Sequence, residues 1–150
     1  MPEPERSAVL GYFEQRFGVP LSVFNAYHVL ERRKAYVLLR HVTALERLAS
    51  LQVQSVGLPV LRKMPRHLKP TSVALQCFGT YASRHRVELS AQEARLLLQG
   101  QELAVDLDGT PGYVVLVYDG HVVGCGLYTL CRLRSQVPRR QDTQWRFEAT

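Results

Sequence analysis

Gly112-Tyr-Val-Val-Leu-Val-Tyr118, Asp119-Gly120, His121-Val-Val-Gly124-Cys-Gly126-Leu-Tyr128, then Arg132-Leu-Arg134-Ser-Gln-Val-Pro138-Arg139-Arg140: the fold is decided in this last third of the chain. Short runs of Val and Tyr favour strands, and Asp-Gly between two of them is a strong hairpin signal. Gly124 and Gly126 remove two side chains from the second strand. Such glycines mark a bulge, a barrel corner or the close approach of another backbone. Arginines follow at once, and guanidinium fits phosphate geometry better than ammonium does. The expectation is a sheet with exposed backbone at Gly124–Gly126, fringed with arginine, which reads as a nucleic-acid surface and not as an active site.

Upstream of the hairpin, Leu103–Leu107 is predicted as a strand and Asp108-Gly109-Thr-Pro-Gly112 as a turn. Ser90 caps a helix with Glu93 in the capping-box position, Ala94, Leu97 and Leu98 form its apolar face, and Gly100 stops it. Arg86–Leu89 reads as a strand. Thr71 caps a short helix Ser72–Phe78 ending at Gly79, after a proline-rich connector Met64–Pro70. Leu58-Pro-Val-Leu61 is apolar but interrupted by proline, so it is expected at a sheet edge or in an extended loop. Gln52–Val56 alternates like a half-buried strand, and Thr43 with Glu46 caps a helix through Ala49. Tyr27–Glu31 and Ala35–Arg40 are strands joined by the basic turn Arg32-Arg33-Lys34. Glu5–Phe17 is a helix with Val9, Leu10, Phe13 and Phe17 at helical spacing, closed by Gly18 and Pro20. The fold class is therefore α+β, with an α+β half to about Arg84 and a small β-rich half with one early helix from there on.

A chain of 150 residues with 46% apolar composition holds one ordinary domain or two small ones. No apolar run reaches membrane-span length, and Met1-Pro-Glu-Pro-Glu-Arg is not a signal peptide, so a cytoplasmic protein without a membrane partner is expected. Cys77, Cys125 and Cys131 match neither zinc-site spacing nor a disulfide framework, and read as reduced and buried. Net charge is +6, and 16 of the 19 basic residues are arginine. Its distribution is uneven. Leu51–Val87 holds Arg62, Lys63, Arg66, Lys69, Arg84 and Arg86 with no acid; Glu88–Asp119 holds six acids against Arg95; the chain then turns basic again. Two basic blocks around an acidic one concentrate positive field where the blocks meet.

The order strand, Ser-capped helix, Gly, strand, glycine-bearing hairpin, basic tail resembles a PUA domain, the RNA-binding module of pseudouridine synthases, archaeosine transglycosylases and ribosome-assembly factors. The residues that carry it are Ala91–Leu98 with Gly100, Tyr113–Tyr118 and Gly120-His-Val-Val-Gly124-Cys-Gly126. Glu14-Gln-Arg-Phe-Gly-Val-Pro20, Val56–Arg62, Leu68-Lys-Pro-Thr71 and Leu75-Gln-Cys-Phe-Gly79 resemble the segment before the PUA domain in Sun/Fmu-type RNA cytosine-5 methyltransferases and in stand-alone ribosome-biogenesis PUA proteins. Where many relatives read Gly-x-Leu-Lys-Asn and then Pro, this chain has Cys131-Arg-Leu-Arg134-Ser135 and Pro138. The charge is kept, whereas the glycine and the asparagine are not.

The resemblance implies an α/β pre-PUA subdomain over residues 1–84 followed by a small PUA-like β-barrel with one early helix over 85–150. The expected function is a non-catalytic RNA-binding module acting on structured rRNA or tRNA, in rRNA modification or ribosome assembly, with no cofactor and no metal. Arg62, Lys63, Lys69, Arg84 and Arg86 would meet phosphates on one side and Arg132, Arg134, Arg139 and Arg140 on the other, with Gly124 and Gly126 admitting the RNA backbone. Tyr81 and Tyr128 are aromatic candidates for base stacking or core packing. The methyltransferases need a Gly-rich cofactor loop and a cysteine after proline, and neither is present; Gln76, Gly124 and Leu130 precede the three cysteines. The five histidines show no metal-site spacing, and Asp106 and Asp108 read as turn residues. The alternative is a protein-interaction adaptor docking on a separate RNA methyltransferase or a ribosomal protein, which exposed apolar residues on Leu58–Leu61 or on the first helix would favour.

Overall fold

The computed structural model describes residues 2–40, 57–107 and 109–138. The helix expected over 43–49, the strand over 52–56 and the arginines Arg139 and Arg140 lie outside them. Helix α1 (Glu3–Phe17) starts two residues before the predicted position, with Pro4 in its first turn and Glu3 and Glu5 on its positive end. It ends at Gly18, whose φ of 70° lets its N–H reach Glu14 O and Val19 N–H reach Phe13 O. A 3-10 turn (Leu21–Phe24) follows, and Arg6 ties it to α1 by donating to Phe24 O at 2.7 Å.

Strands β1 (Tyr27–Glu31), β2 (Ala35–Arg40), β3 (Leu58–Lys63) and β4 (Leu68–Pro70) form an antiparallel sheet in that order. Segment Leu58–Leu61 is thus in an inner strand, not at an edge or in a loop, and β4 replaces part of the predicted connector. Proline is accommodated because the β2–β3 register slips there: Tyr36 faces Leu61 and Val37 faces Pro59, leaving Val60 as a bulge. On the other side β4 pairs only with Leu61–Lys63. Beyond it Thr71 takes over, its N–H donating to Val60 O and its hydroxyl to Pro59 O at 2.6 Å. Thr71 also caps helix α2 (Ser72–Phe78) by accepting from Ala74 N–H.

The second sheet runs β5 (Arg86–Leu89), β7 (Gly112–Tyr118), β8 (His121–Thr129), β9 (Arg132–Ser135), β6 (Leu103–Ala104), with β5 parallel to β7 and the remaining pairs antiparallel. It curls into a half-barrel around helix α3 (Ala91–Leu98), whose predicted capping box is complete in both arms. The fold is the α+β class expected. Strand β6 is shorter than the predicted 103–107, because the chain leaves the ladder after Ala104. There Leu107 N–H donates to the Tyr128 hydroxyl at 3.0 Å. Strand β9 stands where the sequence reads as a basic tail. It follows a tight turn in which Leu130 and Cys131 both have left-handed φ, 52° and 60°. Of the two turns that bound β8, Asp119-Gly120 alone carries the residues that advertise it.

Hairpin β7–β8 is buried on both faces. Val114 and Leu116 point into the barrel with Leu97, Leu133 and Tyr128; Val115, Val117 and Cys125 point into a second core with Phe13, Phe17, Phe24 and Leu75. The glycines of β8 are therefore buried, which corrects the expectation of exposed backbone at Gly124–Gly126. Gly124 sits beside a register slip, and a Cβ there would lie 2.6 Å from Val137 Cγ2 and 2.9 Å from Ser72 Oγ. One at Gly126 would lie 2.8 Å from Leu116 Cδ2. What approaches closely is the protein's own helix α2: Ser72 Oγ accepts from Cys125 N–H at 3.1 Å and Gln76 donates to Val123 O at 2.8 Å. The cysteines are not all buried either, since Cys77 and Cys131 are exposed.

Gly124→Ala should destabilise the protein by about 1–3 kcal/mol, because α2 or Val137 must shift. Gly11, in mid-helix, gives the opposite sign, because a Cβ added there meets nothing within 4 Å. Gly11→Ala should stabilise by about 0.5–1 kcal/mol. Urea unfolding midpoints of the two variants check both.

Candidate nucleic-acid interface

Tyr113, Leu127 and Arg134 lie directly opposite one another across β7, β8 and β9. Opposed residues of antiparallel strands share a face, so this row crosses the outer wall of the half-barrel and places Arg134 two strand spacings, ~10 Å, from Tyr113. The turn between β3 and β4 also reaches Tyr113. His67 Nε2 is 2.8 Å from the Tyr113 hydroxyl, with the rings 5.8 Å apart. The β3–β4 turn, between Lys63 and Lys69, thus touches Tyr113 through His67, and Arg134 stands in the same row as Tyr113.

The individual cations differ in how much charge they offer. Arg62 is exposed and faces Lys69 across β3–β4. Lys63 pairs with Glu31 at 2.5 Å and lies over the Tyr36 ring. Arg84 is exposed but donates to Glu14 O at 2.6 Å, helping to close the C-terminus of α1. Arg86 sits 3.7 Å from Glu88. Arg132 and Arg134 share one carboxylate, Glu102, at 3.5 and 3.4 Å. Tyr81 is 53% exposed, whereas Tyr128 is 6% exposed and belongs to the barrel core. Burial pushes the Cys125 thiol up to about 12, against the pull of Lys69 and Arg16. No helix among the described residues is long and apolar enough to cross a membrane.

Sequence reasoning missed Arg16, because the charges around it are balanced and its neighbours Phe13 and Phe17 mark that helix as core-facing. Arg16 crosses from α1 to the loop before β7, donating to Tyr113 O at 2.8 Å, Thr110 Oγ1 at 2.7 Å and Thr110 O at 3.0 Å. Gly112 makes room for it: a Cβ there would lie 3.0 Å from the guanidinium. This loop and β5 flank a cleft of about 230 Å³ at the mouth of the half-barrel, lined by His85, Arg86, Val87, Leu107, Thr110, Val114 and Tyr128. His85 has a left-handed φ of 57°. Burial, then the charges of Arg16 and Arg84, hold its pKa below the ordinary histidine value.

A depressed histidine pKa has a definite linkage sign. As pH falls through about 6.5 the unfolded chain takes up a proton that folded His85 resists, so stability falls on that side and is full above it. The thermal midpoint should drop on acidification below about pH 6.5, and His85→Asn, which suits left-handed φ, should flatten part of that drop. Parallel pH series of the two proteins check this.

Residues 84–141 match the family model described as the methyltransferase RsmF PUA domain. The chain is 38% identical over 72 residues to the ribosomal RNA small subunit methyltransferase F of Psychromonas ingrahamii, an alignment covering 47% of this chain and 15% of that protein. It is 26% identical over 89 residues to the protein of the same name from Aeromonas hydrophila subsp. hydrophila, covering 59% and 19%. The chain thus spans less than a fifth of the curated relatives it matches. The half-barrel with its early helix lies within the matched segment and is a PUA domain resembling the C-terminal region of RNA cytosine-5 methyltransferases.

Proposed function

We propose that this chain is a non-catalytic module that binds structured ribosomal RNA or tRNA in rRNA modification or ribosome assembly in the cytoplasm, with halves 1–84 and 85–150 contributing to one surface. The observation that carries this reading is the convergence of two basic segments on Tyr113, in a PUA domain of the kind borne by ribosomal RNA methyltransferases. Arg62, Lys63, Lys69, Arg84 and Arg86 contact phosphates from one side and Arg132 and Arg134 from the other, with Arg139 and Arg140 extending the second group. Gly124 and Gly126 are buried and stand apart from this surface, Gly124 seating Ser72 of α2 and Gly126 making room for Leu116. Catalysis by the buried cysteine is disfavoured, because a thiol with pKa about 12 is protonated at neutral pH. The adaptor reading finds less support in the segments it calls on: Val60, Leu61, Val9, Leu10, Phe13 and Phe17 are buried, and Leu58, Pro59 and Tyr12 are half-buried.

Binding to ribosomal RNA should exceed binding to duplex DNA. With four to seven phosphates neutralised, log K should fall with log salt with a slope of roughly −3 to −6. A slope near zero would overturn the reading. Arg62→Glu and Arg134→Glu should weaken binding to every RNA tested, and neither removes a bond that α1 needs. Glu102→Gln should do the reverse, because it releases two arginines at once. Affinity should rise by up to about fivefold, the worth of an exposed ion pair. Fluorescence anisotropy across a salt series reads all of these.

A further inference from the structure

We propose that the cleft at the mouth of the half-barrel receives a single unpaired base of the bound RNA. This deepens the RNA-binding reading and rests on it. The cleft is lined by the apolar side chains Val87, Leu107 and Val114, by the buried Tyr128, and by the polar groups of His85, Arg86 and Thr110. Its volume of about 230 Å³ is below the roughly 300–1,000 Å³ of pockets that bury drug-sized ligands, which suits one planar ring system with its sugar and phosphate left outside.

The chemistry of these polar groups favours a neutral heteroaromatic edge over an anion. Of the lining residues only Arg86 is a full cation, and Glu88 and the Ala82 carbonyl already engage it. The burial and the neighbouring arginines that depress His85 keep its ring neutral, with one nitrogen donating and one accepting, as base edges do. The Thr110 hydroxyl accepts from Arg16 and so has its own hydrogen to give. The Tyr128 hydroxyl accepts from Leu107 N–H and turns its own hydrogen to Cys131 Sγ at 4.0 Å, which makes Tyr128 a wall and not a reader of the base.

The wall itself is held in place before any ligand arrives. Thr110 lies on an exposed, irregular stretch just before Gly112, yet Arg16 fixes it through both its side chain and its carbonyl. An exposed loop ordinarily stays mobile, and ordering it in advance lowers the cost of binding. The cation that does so comes from α1, outside the matched PUA segment, so the upstream half shapes the cleft without lining it.

The test is titration of the whole chain with the four nucleoside 5′-monophosphates and the corresponding free nucleosides, followed by backbone amide shifts in NMR. Saturable millimolar shifts at Val87, Thr110 and Val114, retained with the nucleosides and differing among bases, are expected. Thr110→Val keeps the volume and removes the hydroxyl, and should weaken the response about fivefold. Val87→Phe fills the cleft and should abolish it; Leu107→Phe, at a half-buried position, serves if the first variant fails to fold. Absence of saturable shifts, equal shifts in the filled variant, or a response only to the phosphate would overturn the proposal. Salt-titrated rRNA binding of the same proteins separates the two readings. Tight rRNA binding with a silent cleft sinks this inference alone. A responsive cleft on a protein that does not bind rRNA sinks the surface reading and leaves the cleft.

Discussion

The structure turns on the seat that β8 offers to α2. Gly124 lies at a slip in the β7–β8 register, its missing side chain admits Ser72, and the Ser72 hydroxyl accepts the N–H of Cys125. That contact brings α2 down on the hairpin and closes one core, while the opposite face of the same two strands closes the other around α3. A hairpin buried on both faces must be apolar on both, which explains the unbroken Val-Val-Leu-Val run of β7 where a half-exposed strand would alternate. Helix α1 completes the first core with Phe13 and Phe17. The barrel is thus packed against the upstream half, unlike a pair of domains that a linker joins and few contacts cross.

This arrangement decides where charge can go. With α2 seated on β8, the candidate cations stand on β3 and β4, at the start of β5 and on β9. Most of them are moderated. Glu31, Glu88 and Glu102 each hold one or two of the basic residues at 2.5 to 3.7 Å. Exposed pairs of this kind are worth about 0–1 kcal/mol, so they orient the side chains at little cost to a competing phosphate. The acidic block between the basic ones is in part the source of these partners, since Glu88 and Glu102 both belong to it.

Local signals were legible where local chemistry decides. The Ser90–Glu93 box, the Thr71 cap, the Gly18 stop and the Asp119-Gly120 turn were all readable, because each is a few residues satisfying their own backbone groups. Three features depended on distant partners and were not. Pro59 reads as an edge signal, yet the Thr71 backbone and hydroxyl and a bulge at Val60 let it sit in an inner strand. Leu130-Cys131 carries no turn chemistry, and the closed ladder of β8 with β9 holds both residues at left-handed φ. Gly124 and Gly126 signal close approach, but the sequence does not say what approaches; the structure supplies α2 and Leu116 in place of an RNA backbone.

Arg16 links these levels. Its position among core phenylalanines gives it no place in a charge count, and its three bonds are all spent on protein. Yet its bond to the Tyr113 carbonyl anchors the strand at the point where His67 and the row to Arg134 converge, and its bonds to Thr110 set the wall of the barrel-mouth cleft. The same cation lies close enough to His85 to disfavour its protonation. One half-buried guanidinium therefore ties the outer surface to the cleft and adds to the burial and the Arg84 charge that disfavour a proton on His85. Because it stands on α1, the upstream half is more than a spacer for the PUA domain: it holds the tyrosine row and the cleft wall of that domain in register with each other.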